Sequence, residues 1–159
     1  MTMLCAAAAA VLLLQPATKP APAKPTPAKP AAAAPAAKPA ATDVAVTLTY
    51  KGKGTVDASH QLIAWLFTDP AVTSNSRPLA TLSTTKNGDT LVFKEVGSAP
   101  VYVFVAFDSK GGYDGRSSAP PAGIPTALYS KAPKGPPTAV KAGDPPIKLT
   151  FDDSQPWNK

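Results

Sequence analysis

Residues 43–159 of this 159-residue chain predict an all-β fold, a seven- to eight-stranded antiparallel β-sandwich preceded by a disordered N-terminal segment. Three observations carry the prediction. Apolar and polar residues alternate through Val44–Lys51, the run Val101–Phe107 is apolar on both faces, and Gly, Pro and Asn interrupt the apolar runs at short intervals. A body of this length buries about 65% of its unfolded surface, which suits one small domain.

The elements follow in chain order. Val44, Val46, Leu48 and Tyr50 point one way and Ala45, Thr47, Thr49 and Lys51 the other, so a first strand has one core face and one wet face. The segment Gln61–Phe67 (QLIAWLF) also fits one side of a helix opened by Asp57 or Ser59. Its short length and the Thr68-Asp69-Pro70 stop favour a strand. Short runs at Leu79–Thr84 and Thr90–Lys94 flank Asn87-Gly88, a pair that tolerates positive φ in a turn. Val101, Val103, Val105 and Phe107 alternate with Tyr102, Phe104 and Ala106, which places that strand in the middle of a sheet. Thr138–Lys141 and Ile147–Phe151 complete the set, while 117–137, rich in proline, reads as an ordered loop draped over a sheet edge.

The N-terminal part reads as an address and a tether. Met3–Leu14 is twelve apolar residues, about 18 Å as a helix against a hydrocarbon core of about 30 Å, so it suits a secretory signal better than a stable transmembrane span. Residues 1–17 are assigned to that signal, with cleavage as late as residue 23, although no Lys or Arg precedes the apolar run. Cys5 sits at the start of the run rather than behind it, which disfavours a lipid anchor, and it leaves with the signal. Residues 18–42 form a Pro/Ala/Lys-rich linker with Lys-Pro steps at 19, 24, 29 and 38. Each proline fixes φ and removes a donor, so the favoured conformer is extended polyproline II, reaching roughly 80 Å over 16–42. The expected location is secreted or periplasmic.

The chain carries 16 Lys+Arg against 10 Asp+Glu, +6 overall; four of the lysines lie in 1–42, which leaves +2 for the body. Basic residues dispersed in this way exclude a nucleic-acid-binding surface as the leading reading.

The passage TTKNGDTLVFKEVGSAPVYVFVAFD, residues 84–108, resembles the repeat of transthyretin-like (prealbumin-like) and carboxypeptidase regulatory-like modules. Asn87-Gly88, Phe93 and Tyr102 fall on its turn, its aromatic strand and its tyrosine strand, whereas Ser98-Ala99-Pro100-Val101 stands where the family usually has Pro-Gly. The resemblance implies a sandwich used for binding, spacing or assembly without catalysis of its own.

Candidate chemistry is sparse. His60 is the single histidine, and Ser59 beside it is a sequence neighbour rather than a placed nucleophile, so a partly exposed loop position or a turn-stabilising hydrogen bond is the expected role. Asp108 and Asp114 flank a glycine-rich turn that could bring oxygens toward Ca²⁺, with backbone capping by the aspartates as the favoured alternative. Asp152 and Asp153 could join that loop if both lie at one end of the sandwich, yet adjacent acids on an extended chain point to opposite faces. Tyr113, Tyr129 and Trp157 lie outside the main strands and could form a platform for a sugar or a peptide, with packing of the rings onto the domain as the favoured alternative. No cofactor is expected apart from Ca²⁺ at the acidic loops. The leading expectation is a non-catalytic, exported bacterial envelope protein that meets an envelope protein or a cell-wall polymer. A carbohydrate- or peptide-binding module is the alternative, and a small hydrolase built on Asp108, Asp114, Asp152 or His60 the third.

Overall fold

Seven strands form two packed sheets in the computed structural model, which describes residues 40–117 and 119–158. The apolar run 3–14 and most of the Lys-Pro linker lie outside the described residues. The strands are β1 (Val44–Tyr50), β2 (Leu62–Phe67), β3 (Ala80–Thr84), β4 (Thr90–Phe93), β5 (Tyr102–Phe107), β6 (Thr126–Leu128) and β7 (Ile147–Phe151). One sheet has the order β4-β1-β7 and the other β3-β2-β5-β6. No helix occurs among the described residues, and hence none long and apolar enough to cross a membrane.

Gln61–Phe67 is a strand, as its length and its proline stop predicted, and it lies between β3 and β5. β5 is likewise internal, flanked by β2 and β6, which explains why both of its faces are apolar. Three expectations need correction. The proline-rich stretch 117–137 is more than a cover, because Thr126-Ala127-Leu128 pairs with β5 between the prolines. Thr138–Lys141 contributes only the bridge Val101↔Val140. The sandwich is also not wholly antiparallel, since β7 runs parallel to β1 in the register Val46↔Ile147 to Tyr50↔Phe151.

Two apolar layers result, one on each face of the four-stranded sheet. Between the sheets, Val44, Val46, Leu48 and Tyr50 of β1 meet Leu62, Ala64 and Leu66 of β2, Val103, Val105 and Phe107 of β5, and Leu149 and Phe151 of β7. The outer face of β2 and β5 carries Ile63, Trp65, Phe67, Phe104 and Ala106, which water would otherwise wet. Val72, Ile124 and Trp157, together with part-buried Tyr113, cover it. The cover is stitched down by the Trp65 indole N–H, which donates to the Gly115 carbonyl at 3.0 Å. Gly115 has φ of +72°, and a Cβ there would come within 2.7 Å of the Ile63 methyl, so glycine lets this loop lie directly on the sheet.

Asn87-Gly88 does form a turn with Gly88 at φ +81°, but it links β3 in one sheet to β4 in the other rather than closing a hairpin. The Asn87 side chain explains how. Its carbonyl accepts the Tyr50 amide and its NH₂ donates to the Tyr50 carbonyl, both at 2.8 Å, so an amide side chain continues the β4 edge of the ladder on β1 where the backbone has already turned away. This crossover closes one flank of the sandwich. The opposite flank, between β6 and β7, is bridged among the described residues at one end. There the chain after β7 crosses to the other sheet, where Thr126 donates to the Gln155 carbonyl at 2.9 Å and Pro125 bridges Pro156.

The strand directions define two poles. The chain enters β1 at the first, where Gly143 donates to the Asp43 carbonyl at 2.9 Å and Val96 donates to the Thr42 carbonyl at 2.9 Å. The ends of β1, β5 and β7 lie at the second.

Candidate functional site

The acidic residues gather less than expected. Asp108 is 1% exposed. One of its carboxylate oxygens accepts the amides of Lys110 (3.3 Å) and Gly111 (2.9 Å), and the other accepts the Tyr113 amide at 2.8 Å. The carboxylate is turned into its own loop, the capping alternative, rather than outward toward a cation. Asp114 accepts the Arg116 amide at 3.0 Å and pairs with the Arg116 guanidinium at 3.2 Å on the open surface. Asp152 accepts the Ser154 amide at 2.9 Å, and the Ser154 side chain first and then that amide hold its carboxyl below the usual range. Among the described residues, no three His, Cys, Asp or Glu side chains come together as a metal site.

The three rings considered for a platform pack onto the domain instead, in two different layers. Trp157 is buried against Phe104, at 5.6 Å between ring centroids, and Tyr113 lies against Trp65 at 6.1 Å; both belong to the outer layer. Tyr129 instead packs onto the layer between the sheets. Each ring covers apolar surface, so no common exposed face remains. Burial, with help from Asp114 and Asp108, pushes the Tyr113 hydroxyl up to about 12.

A cavity of about 560 Å³ opens at the second pole, lined among others by Tyr50, Asp57, His60, Phe107, Ser109 and Asp153. Ser109 from the Asp108 loop and Asp153 behind β7 thus do share one end of the sandwich, although Asp108 itself is turned away. The Tyr50 and Phe107 rings stack at 4.1 Å beneath it. The Tyr50 hydroxyl donates to the Asp153 carboxylate, which also accepts the Lys53 amide at 3.0 Å. These two bonds, the tyrosine first, lower the Asp153 carboxyl; burial and then that bond push the Tyr50 hydroxyl up to about 12. His60 Nδ1 lies 3.1 Å from Asp57 Oδ1, and the same oxygen accepts the amides of Ser59 (2.8 Å) and His60 (2.9 Å). This is the turn-stabilising role read from the sequence. The Ser59 amide first, and then the His60 ring, hold the Asp57 carboxyl below its ordinary range.

Ser109 shares the cavity with the Asp57–His60 pair, which places a hydroxyl, an imidazole and a carboxylate in one concavity. A nucleophile and its base need mutual hydrogen-bond reach, and among the hydrogen bonds of the described residues none joins Ser109 to His60. Of the four residues considered for a hydrolase, only His60 lines this cavity: Asp152 lines the flank, Asp108 is buried and Asp114 lies beside β3.

The open flank offers a different chemistry. A groove of about 440 Å³ runs between β6 with its following loop and β7, and Lys51, Lys131, Lys134 and Lys148 line it against a single carboxylate, Asp152. All four lysines are exposed, and among the described residues none forms an ion pair. The Lys51 amide donates to the Phe151 carbonyl at 2.8 Å, which sets the phase of the parallel pair: Ile147, Leu149 and Phe151 bond to β1, while the amides and carbonyls of Lys148 and Thr150 face the groove. Sequence reasoning missed this site. The lysines are 97 positions apart from first to last, and nothing in their spacing reveals that β6 and β7 are the edges left side by side.

The fold and its surfaces thus define an all-β sandwich with one closed flank, one basic open flank and a polar cavity at the pole away from the incoming chain. Comparison with family models, curated proteins and solved structures finds no match to the chain.

Proposed function

We propose that this chain is an exported, non-catalytic protein of the bacterial cell envelope, in which a cleaved signal and a Pro/Ala/Lys tether carry a β-sandwich that binds or spaces an anionic envelope component. The observation that carries this reading is the open flank, where four exposed lysines face one carboxylate beside an unpaired strand edge. Lysines held on a rigid edge and answered by no acid of their own raise the local concentration of a polyanion. The transthyretin-like resemblance of residues 84–108 supports the same class, a sandwich that serves as a binding part rather than an enzyme. Export fits the order of segments, apolar run, extended linker and then folded body.

The test is retention of the purified protein on cell-wall polymers and envelope extracts. Binding at low salt that weakens steeply between about 50 and 300 mM salt supports the reading, because surface charges are screened over that range. Retention indifferent to salt, or none at any salt, overturns it. Export is tested separately by the mass of the mature N-terminus, expected to begin between residues 18 and 24; an intact product inside the cell overturns that part.

A further inference from the structure

We propose that the open flank takes an acidic peptide segment in extended conformation, which adds to the three-stranded sheet as a new strand beside β7. The inference rests on the binding reading above and names its ligand class.

The geometry of the edge comes first. β7 has one neighbour, β1, and the phase fixed by the Lys51–Phe151 hydrogen bond turns the amides and carbonyls of Lys148 and Thr150 outward. Two residues apart on a strand, these groups repeat about every 6.6–6.8 Å, the spacing at which another extended chain presents complementary groups. β6 offers no such opening at its start, because the Thr126 amide is already taken by the Gln155 carbonyl. That leaves Leu128 alone on the outward side of three-residue β6, so the edge long enough to pair an added strand is that of β7.

Charge then selects the occupant. A strand added beside β7 would lie between Lys148 and Lys51 on the outer side of the sheet and Lys131 and Lys134 on the loop across the groove. Acidic side chains on that strand meet ammonium groups that have no other partner among the described residues. A second copy of this chain is disfavoured, since pairing β7 with β7 brings two Lys148 side chains together across the new ladder. The chain's own Lys-Pro segment is disfavoured twice over, being cationic and lacking amide donors at every proline. A polyanion without a peptide backbone would satisfy the lysines and leave the outward amides and carbonyls of β7 with water.

The test uses the purified protein, an acidic peptide of alternating Glu and Val, the same peptide N-methylated at every second amide, and inorganic polyphosphate. Expected is binding of the first peptide with slowed hydrogen exchange at the Lys148 and Thr150 amides, and loss of that binding on N-methylation. Lys148→Glu should weaken it by about tenfold, the scale of one well-placed charge contact. Thr150→Pro removes an outward amide that makes no bond to β1, a place where an edge strand accepts proline. It should abolish peptide binding while polyphosphate binding persists. If the N-methylated peptide binds as tightly as its parent, or if exchange at Lys148 and Thr150 is unchanged, strand addition is overturned and polyanion binding alone survives. If neither peptide nor polyphosphate binds at low salt, the binding reading fails as well. Should Thr150→Pro fail to fold, the N-methylated peptide and the exchange measurement on the unaltered protein decide the matter.

Discussion

Asn87 and Tyr50 show how much of the second pole depends on single side chains. Asn87→Ala would remove two hydrogen bonds and leave both the amide and the carbonyl of Tyr50 without their partner. The expected cost is about 1–3 kcal/mol, measured as a lowered urea midpoint at unchanged slope. Asn87→Asp keeps the acceptor but sets a carboxylate against a carbonyl, so it should restore little. Tyr50 gives a pH dependence with a definite sign. Its hydroxyl titrates near 10 in the unfolded chain and about 12 in the fold. The protonated form is therefore the one the fold favours, and that stability is fully present below pH 10 and lost as pH rises toward 12. Asp153 runs the other way. Its lowered carboxyl adds stability above the ordinary value of 3.8 and loses it as pH falls through the folded value, a small effect because the group is exposed. Tyr50→Phe should flatten the alkaline limb of the unfolding midpoint, with Tyr113 supplying what remains; an unchanged limb would show that the Tyr50 hydroxyl is not held as described. At this scale the sequence was legible in part. It marked His60 as a turn residue and offered capping as one role for Asp108, but nothing adjacent to Tyr50 announces a partner 103 positions away.

Among the elements, the strands most legible in the sequence are those whose pattern is set by burial alone. β1 shows its alternation because one face is only half-buried, at Thr47 and Thr49, and β5 its unbroken apolar run because both faces are covered. β6 was illegible: three residues between prolines have no period to read, and only the neighbouring edge of β5 makes them a strand. The C-terminal tail has no period to read either, and of the two roles open to Trp157, a ligand platform or packing onto the domain, the fold takes the second, with the ring 6% exposed on the outer face of the four-stranded sheet. Trp157→Ala should cost about 3–5 kcal/mol by opening a void over Phe104 and Ile124. A loss below about 1 kcal/mol in a denaturant titration would mean the tail does not seal that face.

For the whole molecule, the four-stranded sheet is a slab with an apolar layer on either side, so the loss of either layer wets one face of strands whose other face lines the second layer. Both tryptophans lie in the outer layer, whereas the layer between the sheets holds Tyr50, Phe107 and Phe151. Tryptophan fluorescence and far-ultraviolet circular dichroism should therefore give one coincident urea transition. An earlier fluorescence transition would identify the loop-and-tail cover as a separately melting layer. The sequence by itself determined that the body is all-β, where most of its strands begin and end, and which strand lies at the centre, because those properties follow from local alternation and from turn chemistry. Tertiary structure alone decided which edges lie side by side, that β7 runs parallel to β1, and that four distant lysines face one groove. Strand order is set by long-range pairing and packing between sheets, and a pattern with a period of two residues carries no record of which neighbour each strand will find.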